Sequence, residues 1–383
     1  MGKVSTRPRI AVFTRPLDNW SSGSGHHLDQ ILNNALDLNN DRFDFTLVHY
    51  RRSDNKIYAR ARELVVPRNP VLASAVLRRE NFDVVHYAPL TIYAPIWGIR
   101  AKKVATMHGA EQLLQPQFVG KLELAHEYFV VPAYARRMDR IVTVSETSKR
   151  FFIERFRIQR DRITVCYNGL ANEFKTLQLG EVTAPERYGI TRPYVLHVSK
   201  FSERKNPWVL LNAFARLVNE YEAPHVLVCA GGGWGDDAVL ERARALGIAE
   251  RYVAPGFVPV RDVAELMNGA SLFVFPSLAE GFGMPNVEAM ACGCPVVTTP
   301  GFAVSEIVGD AAVVAEDPQD AVGIARAMHR IVTDKPFRSA LVAKGLARVS
   351  RYSWKESAER LLSVYQELIS PEPRSMSFLS NRP

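Results

Sequence analysis

Short apolar runs alternate with amphipathic stretches along almost the whole of this 383-residue chain. In the first half, runs at 10–14, 45–49, 63–66, 83–87, 104–107, 140–144 and 163–167 have the length and residue types of buried strands. Between them, 27–38, 122–138 and 146–156 carry apolar residues at helical spacing, the last behind Ser145 as an N-cap. Strands and helices in this alternation make a parallel sheet covered on both faces. A polar stretch at 171–192, with Gly180, Pro185 and Gly189, breaks the pattern. It then restarts, with strands at 194–198, 225–230, 252–257 and 271–275 and helices at 207–221, 236–246 and 260–268. After Pro207, the residues Leu210, Phe214, Leu217, Val218 and Tyr221 share one helical face, as do Trp354, Ala358, Leu361, Tyr365 and Leu368 over 353–369.

The pattern predicts two doubly wound α/β domains facing each other across a cleft. Length agrees, since a single core stops growing at about 250–300 residues. The expected division is 1–170, a linker at 171–192, a second domain at 193–352, a helix at 353–370 packing back toward the first domain, and a disordered tail at 371–383. Composition, 47% hydrophobic and 23% charged, is that of a soluble globular protein, and no apolar run nears the roughly 20 residues of a membrane span. Residues 1–8 are basic and polar, and 10–13 is too short for a signal-peptide core, so the expected location is cytoplasmic. Met1-Gly2-Lys3-Val4-Ser5-Thr6 fits a myristoylation pattern that is short enough to arise by chance. Cys166, Cys229, Cys292 and Cys294 lie in or beside apolar runs and read as reduced core residues, without the spacing of a zinc site.

Charge changes the picture of the first half. Residues 1–170 hold 26 Lys and Arg against 16 Asp and Glu, a net +10, so the remaining 22 against 24 sum to −2. The basic half is expected to face an anionic partner, either a membrane surface at which the protein sits peripherally or a phosphorylated acceptor. Nucleic acid is not expected: Arg51-Arg52, Lys102-Lys103 and Arg136-Arg137 lack the interleaved aromatics of a single-strand groove.

The most informative chemistry lies at 279–288, Ala-Glu-Gly-Phe-Gly-Met-Pro-Asn-Val-Glu. An apolar strand ends at Pro276-Ser277, a glycine turn follows, and Pro285 opens a helix that Gly293 stops. Strand, glycine loop and helix N-terminus present unpaired backbone donors to a phosphate. The plainer reading of Gly281-x-Gly283 is a tight turn and nothing more, but Glu280 on the loop rim and Glu288 on the first helical turn frame a ligand. Other loops at strand ends add candidates. Ser21 to His26, with Gly23 and Gly25, is a flexible turn that admits close backbone approach. His108-Gly109 places an imidazole at a strand end; Ser199, Lys200, Arg204 and Lys205 precede a helix; and Gly231-Gly232-Gly233 lets a base or ribose lie on the backbone.

Taken together these motifs resemble glycosyltransferase family 4, the retaining transferases of GT-B fold, over nearly the whole chain. The most specific element is Glu280-X7-Glu288, with Thr106-x-His108-Gly109, Val144-Ser145, Tyr167-Asn168-Gly169, the Lys200/Lys205 pair and the Gly231 loop beside it. The resemblance implies an acceptor-binding first domain and a nucleotide-sugar-binding second one. It implies that Lys205, with Lys200 and Ser199, holds the donor diphosphate, that Glu280 meets the sugar hydroxyls and Glu288 the ribose, and that amides of Gly283 and Met284 assist. Gly281, Phe282, Gly231, Gly232, Gly23 and Gly25 are expected around the donor, with His108 approaching the sugar from the first domain. Where the family has Gly-Arg, this chain has Ser199-Lys200, a point charge in place of a planar fork.

A diphosphate leaving group needs its growing charge neutralised, which two lysines and a helix end can do. No Asp-x-Asp motif is placed for a divalent ion, so neither metal nor cofactor is expected, and Glu280 is not expected to be a covalent nucleophile. The predicted activity is hexosyl transfer from a nucleotide-diphosphate sugar to a glycan or lipid-linked acceptor, as in polysaccharide or glycolipid synthesis. The rivals are a sugar-nucleotide epimerase, a glycan phosphorylase or a non-catalytic binding protein.

Overall fold

A computed structural model describes residues 7–18, 23–91 and 93–370. The myristoylation pattern, Ser21-Ser22 and the 371–383 tail lie outside the described residues. The first sheet has seven parallel strands: β1 (Arg9–Phe13), β2 (Asp44–His49), β3 (Arg62–Val65), β4 (Val84–Tyr87), β5 (Lys102–Thr106), β6 (Arg140–Thr143) and β7 (Ile163–Val165), in the order β3-β2-β1-β4-β5-β6-β7. The second has six, β8 (Tyr194–Val198), β9 (Val226–Ala230), β10 (Tyr252–Gly256), β11 (Leu272–Phe275), β12 (Val296–Thr298) and β13 (Val313–Val314), in the order β10-β9-β8-β11-β12-β13. Order reverses beside β1 in one sheet and beside β8 in the other, which opens a crevice at the carboxyl ends of the strands in each.

The alternation of strand side chains builds each core from two layers. In β1, Ile10 and Val12 enter one buried cluster while Ala11 and Phe13 enter the other; in β11, Leu272 and Val274 divide from Phe273 and Phe275 in the same way. One layer of the first sheet is completed by the helix Trp354–Ile369, whose Trp354, Ala358, Leu361, Leu362 and Tyr365 pack among Ile10, Val12, Leu28 and Leu32. Gly169 admits this helix, since a Cβ there would lie 2.1 Å from the Trp354 amide nitrogen. Within 171–192, Phe174, Ala184 and Ile190 are buried in the second domain, and the Glu265 carboxylate accepts from the amides of Thr183 and Ala184.

Two elements differ from the sequence expectation. The stretch 122–138 is no uniform helix: Lys121–Ala125 passes through a π-turn, His126–Val130, into Val131–Ala135. Pro132 has no N–H and would collide with the preceding turn, so the Val131 amide reaches back to His126 and the ladder widens. The glycines at 23 and 25 form no flexible turn either; they begin the helix Gly23–Asp37.

Candidate functional site

The site grows from the end of β11. The chain leaves the sheet at Pro276, and Glu280 is fixed by donating its amide to Gly301 (3.1 Å) and accepting from Ala303 (3.1 Å). Gly283 has φ +83°, the left-handed conformation that turns the loop into the helix Met284–Ala291. That entry comes one residue earlier than Pro285, so Glu288 is the fifth helical residue, one position deeper than the sequence suggested.

Glu280 is held by two cations. Lys205 Nζ lies 2.6 Å and Arg204 2.8 Å from the same oxygen, Oε1, to which the Ser277 hydroxyl also donates. Burial would raise the Glu280 carboxyl, but Lys205 and Arg204 overcome it and leave the group below its ordinary value, hence ionised. All three contacts fall on Oε1. Oε2 takes none of these contacts, and the two cations outnumber the carboxylate they hold. Lys205 also stands 4.8 Å over the Phe275 ring, which fixes its approach.

The first domain closes on this loop at Gly281. A Cβ there would lie 2.6 Å from the His108 carbonyl oxygen and 2.8 Å from Glu111 Oε1, so only glycine lets the domains meet. The Gly281 amide donates to Glu111 Oε1 at 2.6 Å. Burial raises the Glu111 carboxyl and the Glu280 charge adds to the effect. Burial lowers His108 to about 4, so its ring is neutral at neutral pH, and its edge meets the His27 ring at 4.5 Å. His27 Nδ1 is 2.8 Å from Asn168 Oδ1, while its buried Nε2 has no partner among the described residues. A second contact joins the domains: Glu306 accepts from the amides of Glu146 and Thr147 at 2.8 and 2.7 Å and from the Tyr167 hydroxyl at 3.0 Å.

The remaining candidates lie on the second domain. Ser199 bonds His197 through its hydroxyl (2.8 Å) and accepts from the Trp234 indole through its carbonyl (2.7 Å). Gly231, φ +128°, presses against that carbonyl, where a Cβ would come within 2.0 Å, and spends its own amide on Gly256. Gly232 faces open space and Lys200 is exposed. Glu288 is partly buried, and burial lifts its carboxyl to about 7. Glu280, Lys205, Gly281 and His108 are thus brought together, with Ser199 and Gly231 against each other on a neighbouring loop. Sequence reasoning missed Glu111, three residues after His108, and read Arg204 only among the cations ahead of the helix, where a phosphate would need them, and not as a partner of Glu280. Among the described residues no group of three or more His, Cys, Asp and Glu side chains is arranged to hold a metal ion.

Comparison with known proteins decides the family. A family model for glycosyl transferases group 1 matches residues 184–348, and one for glycosyltransferase family 4 matches 24–174. The chain is 30% identical over 318 residues to the O-antigen chain mannosyltransferase B of Escherichia coli, covering 77% of this chain and 82% of that protein. The chain belongs to glycosyltransferase family 4. A second relative of this glycosyltransferase, the serotype-specific mannosyltransferase WbdA of Escherichia coli, is 26% identical over 345 residues, 86% of this chain but 42% of that longer protein. Anabaena HepE, solved in complex with UDP and glucose, superposes with a TM-score of 0.73 at 19% identity, over 94% of this chain and all of HepE, and shares the GT-B fold. The glycosyltransferase has no helix, among its described residues, long and apolar enough to cross a membrane.

Proposed function

We propose that this glycosyltransferase moves a hexose, mannose by analogy with its O-antigen relatives, from a nucleotide-diphosphate donor to a glycan or lipid-linked acceptor with retention of configuration. The carrying observation is the Lys205–Glu280–Arg204 cluster directly against the interdomain contact of Gly281. The diphosphate takes the positive side of this cluster, near the Gly283 and Met284 amides at the helix end, where charge developing on the leaving group is neutralised. Glu280 Oε2 accepts from a sugar hydroxyl, Glu288 holds the ribose, and the neutral His108 ring borders the sugar. In retention the acceptor hydroxyl attacks from the leaving-group face and passes its proton to the departing phosphate oxygen. Glu280, bound by two cations, is a poor nucleophile and serves to position the sugar.

Release of nucleoside diphosphate from nucleotide-activated mannose, with and without acceptor, tests the activity, and NMR of the new linkage reads the anomer. Release that ignores the acceptor, or an inverted product, would overturn the reading. Charge neutralisation by Lys205, Lys200 and the helix end makes the reaction independent of metal. Excess EDTA should leave initial rates unchanged, and loss restored by magnesium would refute this. The exposed Phe118, Leu122 and Phe129, on the basic first domain, support peripheral contact with anionic lipid, to be measured by salt-sensitive sedimentation with phosphatidylserine vesicles.

A further inference from the structure

A cavity of about 740 Å³ opens in the first domain, at the carboxyl ends of β1, β2 and β4, where the strand order reverses. None of the residues around Glu280 line it. Its walls carry Arg15, Arg51 and Arg68, one from each of the segments following β1, β2 and β3, with Tyr50 and Tyr93 beside them. All three arginines are exposed and none has an acidic partner among the described residues. The other charged wall residue is Asp18, whose Oδ1 is buried without a hydrogen-bond partner among the described residues. The cavity also reaches Ser24, and three residues further along that helix His27 touches the His108 ring. It therefore lies about one helical turn from the interdomain contact.

Resting on the transferase reading, we propose that this cavity holds the acceptor and that the acceptor carries a phosphoryl group there, as a sugar phosphate or sugar diphosphate. Three guanidinium groups offer far more donors than a single carboxylate can accept, whereas a phosphoryl or diphosphoryl group takes forked contacts from several at once. Asp18 would repel a ligand that is anionic throughout. Its carboxylate instead accepts from a hydroxyl, which a sugar supplies, while Tyr50 and Tyr93 offer flat surface to the ring's apolar face. A neutral glycan would leave three like charges uncompensated around one cavity. The same chemistry is presented by a soluble sugar phosphate and by the head of a polyprenyl diphosphate sugar.

Calorimetry on the full chain tests this, with the donor site first saturated by nucleoside diphosphate. A hexose 1-phosphate and the corresponding methyl hexoside serve as probes, against wild type and Arg15→Gln, Arg51→Gln and Arg68→Gln. These side chains are exposed, so folding is retained. The hexose phosphate should bind more tightly than the methyl hexoside, and each variant should weaken it about tenfold, the scale of one lost charge-assisted hydrogen bond. Nucleoside diphosphate affinity should not change. Equal binding of the two probes, or a triple variant within twofold of wild type, would overturn the proposal. Transfer to a polyprenyl diphosphate sugar in phosphatidylcholine vesicles, compared with transfer to the soluble hexose phosphate, shows which source feeds the cavity. Arginine-dependent binding without transfer to either would sustain the phosphoryl pocket and defeat the transferase reading instead.

Discussion

Two glutamates eight residues apart occupy opposite electrostatic environments, which separates their roles. Glu280 is ionised by its cations, and in the proposed reading its Oε2 meets the part of the donor that moves. Glu280→Gln should therefore cut turnover while leaving nucleoside diphosphate affinity nearly unchanged. Glu288, lifted to about 7 by burial, binds an extra proton in the native state between its ordinary 4.5 and 7. Its contribution to stability consequently falls as pH rises through that window. A ribose diol donating to this carboxyl favours the ionised form, so nucleotide affinity should weaken as pH falls below about 7, more steeply in wild type than in Glu288→Gln. Calorimetry across that range distinguishes them, and identical pH profiles would remove Glu288 from the ribose. Lys205→Ala should lower kcat by roughly 10²–10³, the scale of one lost electrostatic donor to the transition state. Arg204 and Ser277 still hold Glu280 in that variant, so its circular dichroism should match wild type, and activity within threefold would exclude Lys205 from the diphosphate.

At the scale of elements, the sequence displayed the strands better than the helices between them. All seven strands of the first sheet were legible, most plainly β1, β2, β4 and β6, which are short apolar runs buried almost throughout, whereas β3 is an edge strand with no buried residue. The helix Pro70–Glu80 was not read, although Asn69 caps it and Pro70 begins it, because its exposed Val71 and Leu72 blur the apolar stripe. The same mixture of exposed and buried residues hid Lys335–Val349. In the site, the motif at 280–288 was visible because its residues are contiguous. Glu111 was not, since its bond to the Gly281 amide spans 170 positions of sequence. The helix Glu146–Phe156 shows how such contacts hold the domains: Ser145 satisfies the Ser148 amide, and Glu306 of the other domain satisfies the two before it. Glu306→Ala should cost about 1–2 kcal/mol, the price of a lost cap, in urea unfolding. A larger share of that loss is expected from the interdomain contact than from either domain alone, so an isolated second domain carrying the same substitution should show no comparable change.

Over the whole molecule, the helix Trp354–Ile369 ties the end of the described chain to its beginning, with the Tyr365 hydroxyl 2.6 Å from His86 Nδ1 on β4. Ending the chain after Ser353 would bare the apolar face formed by Ile10, Val12 and Leu28, and such a protein should bind a hydrophobic dye and aggregate, a monodisperse product being the contrary result. Synthesis adds an order of events. The first sheet emerges from the ribosome early, yet its last layer is translated after the entire second domain, on the order of ten to forty seconds later at ordinary elongation rates. During that interval the nascent chain carries an uncovered greasy flank that a chaperone can occupy. The domain made first is therefore the one whose folding is completed last.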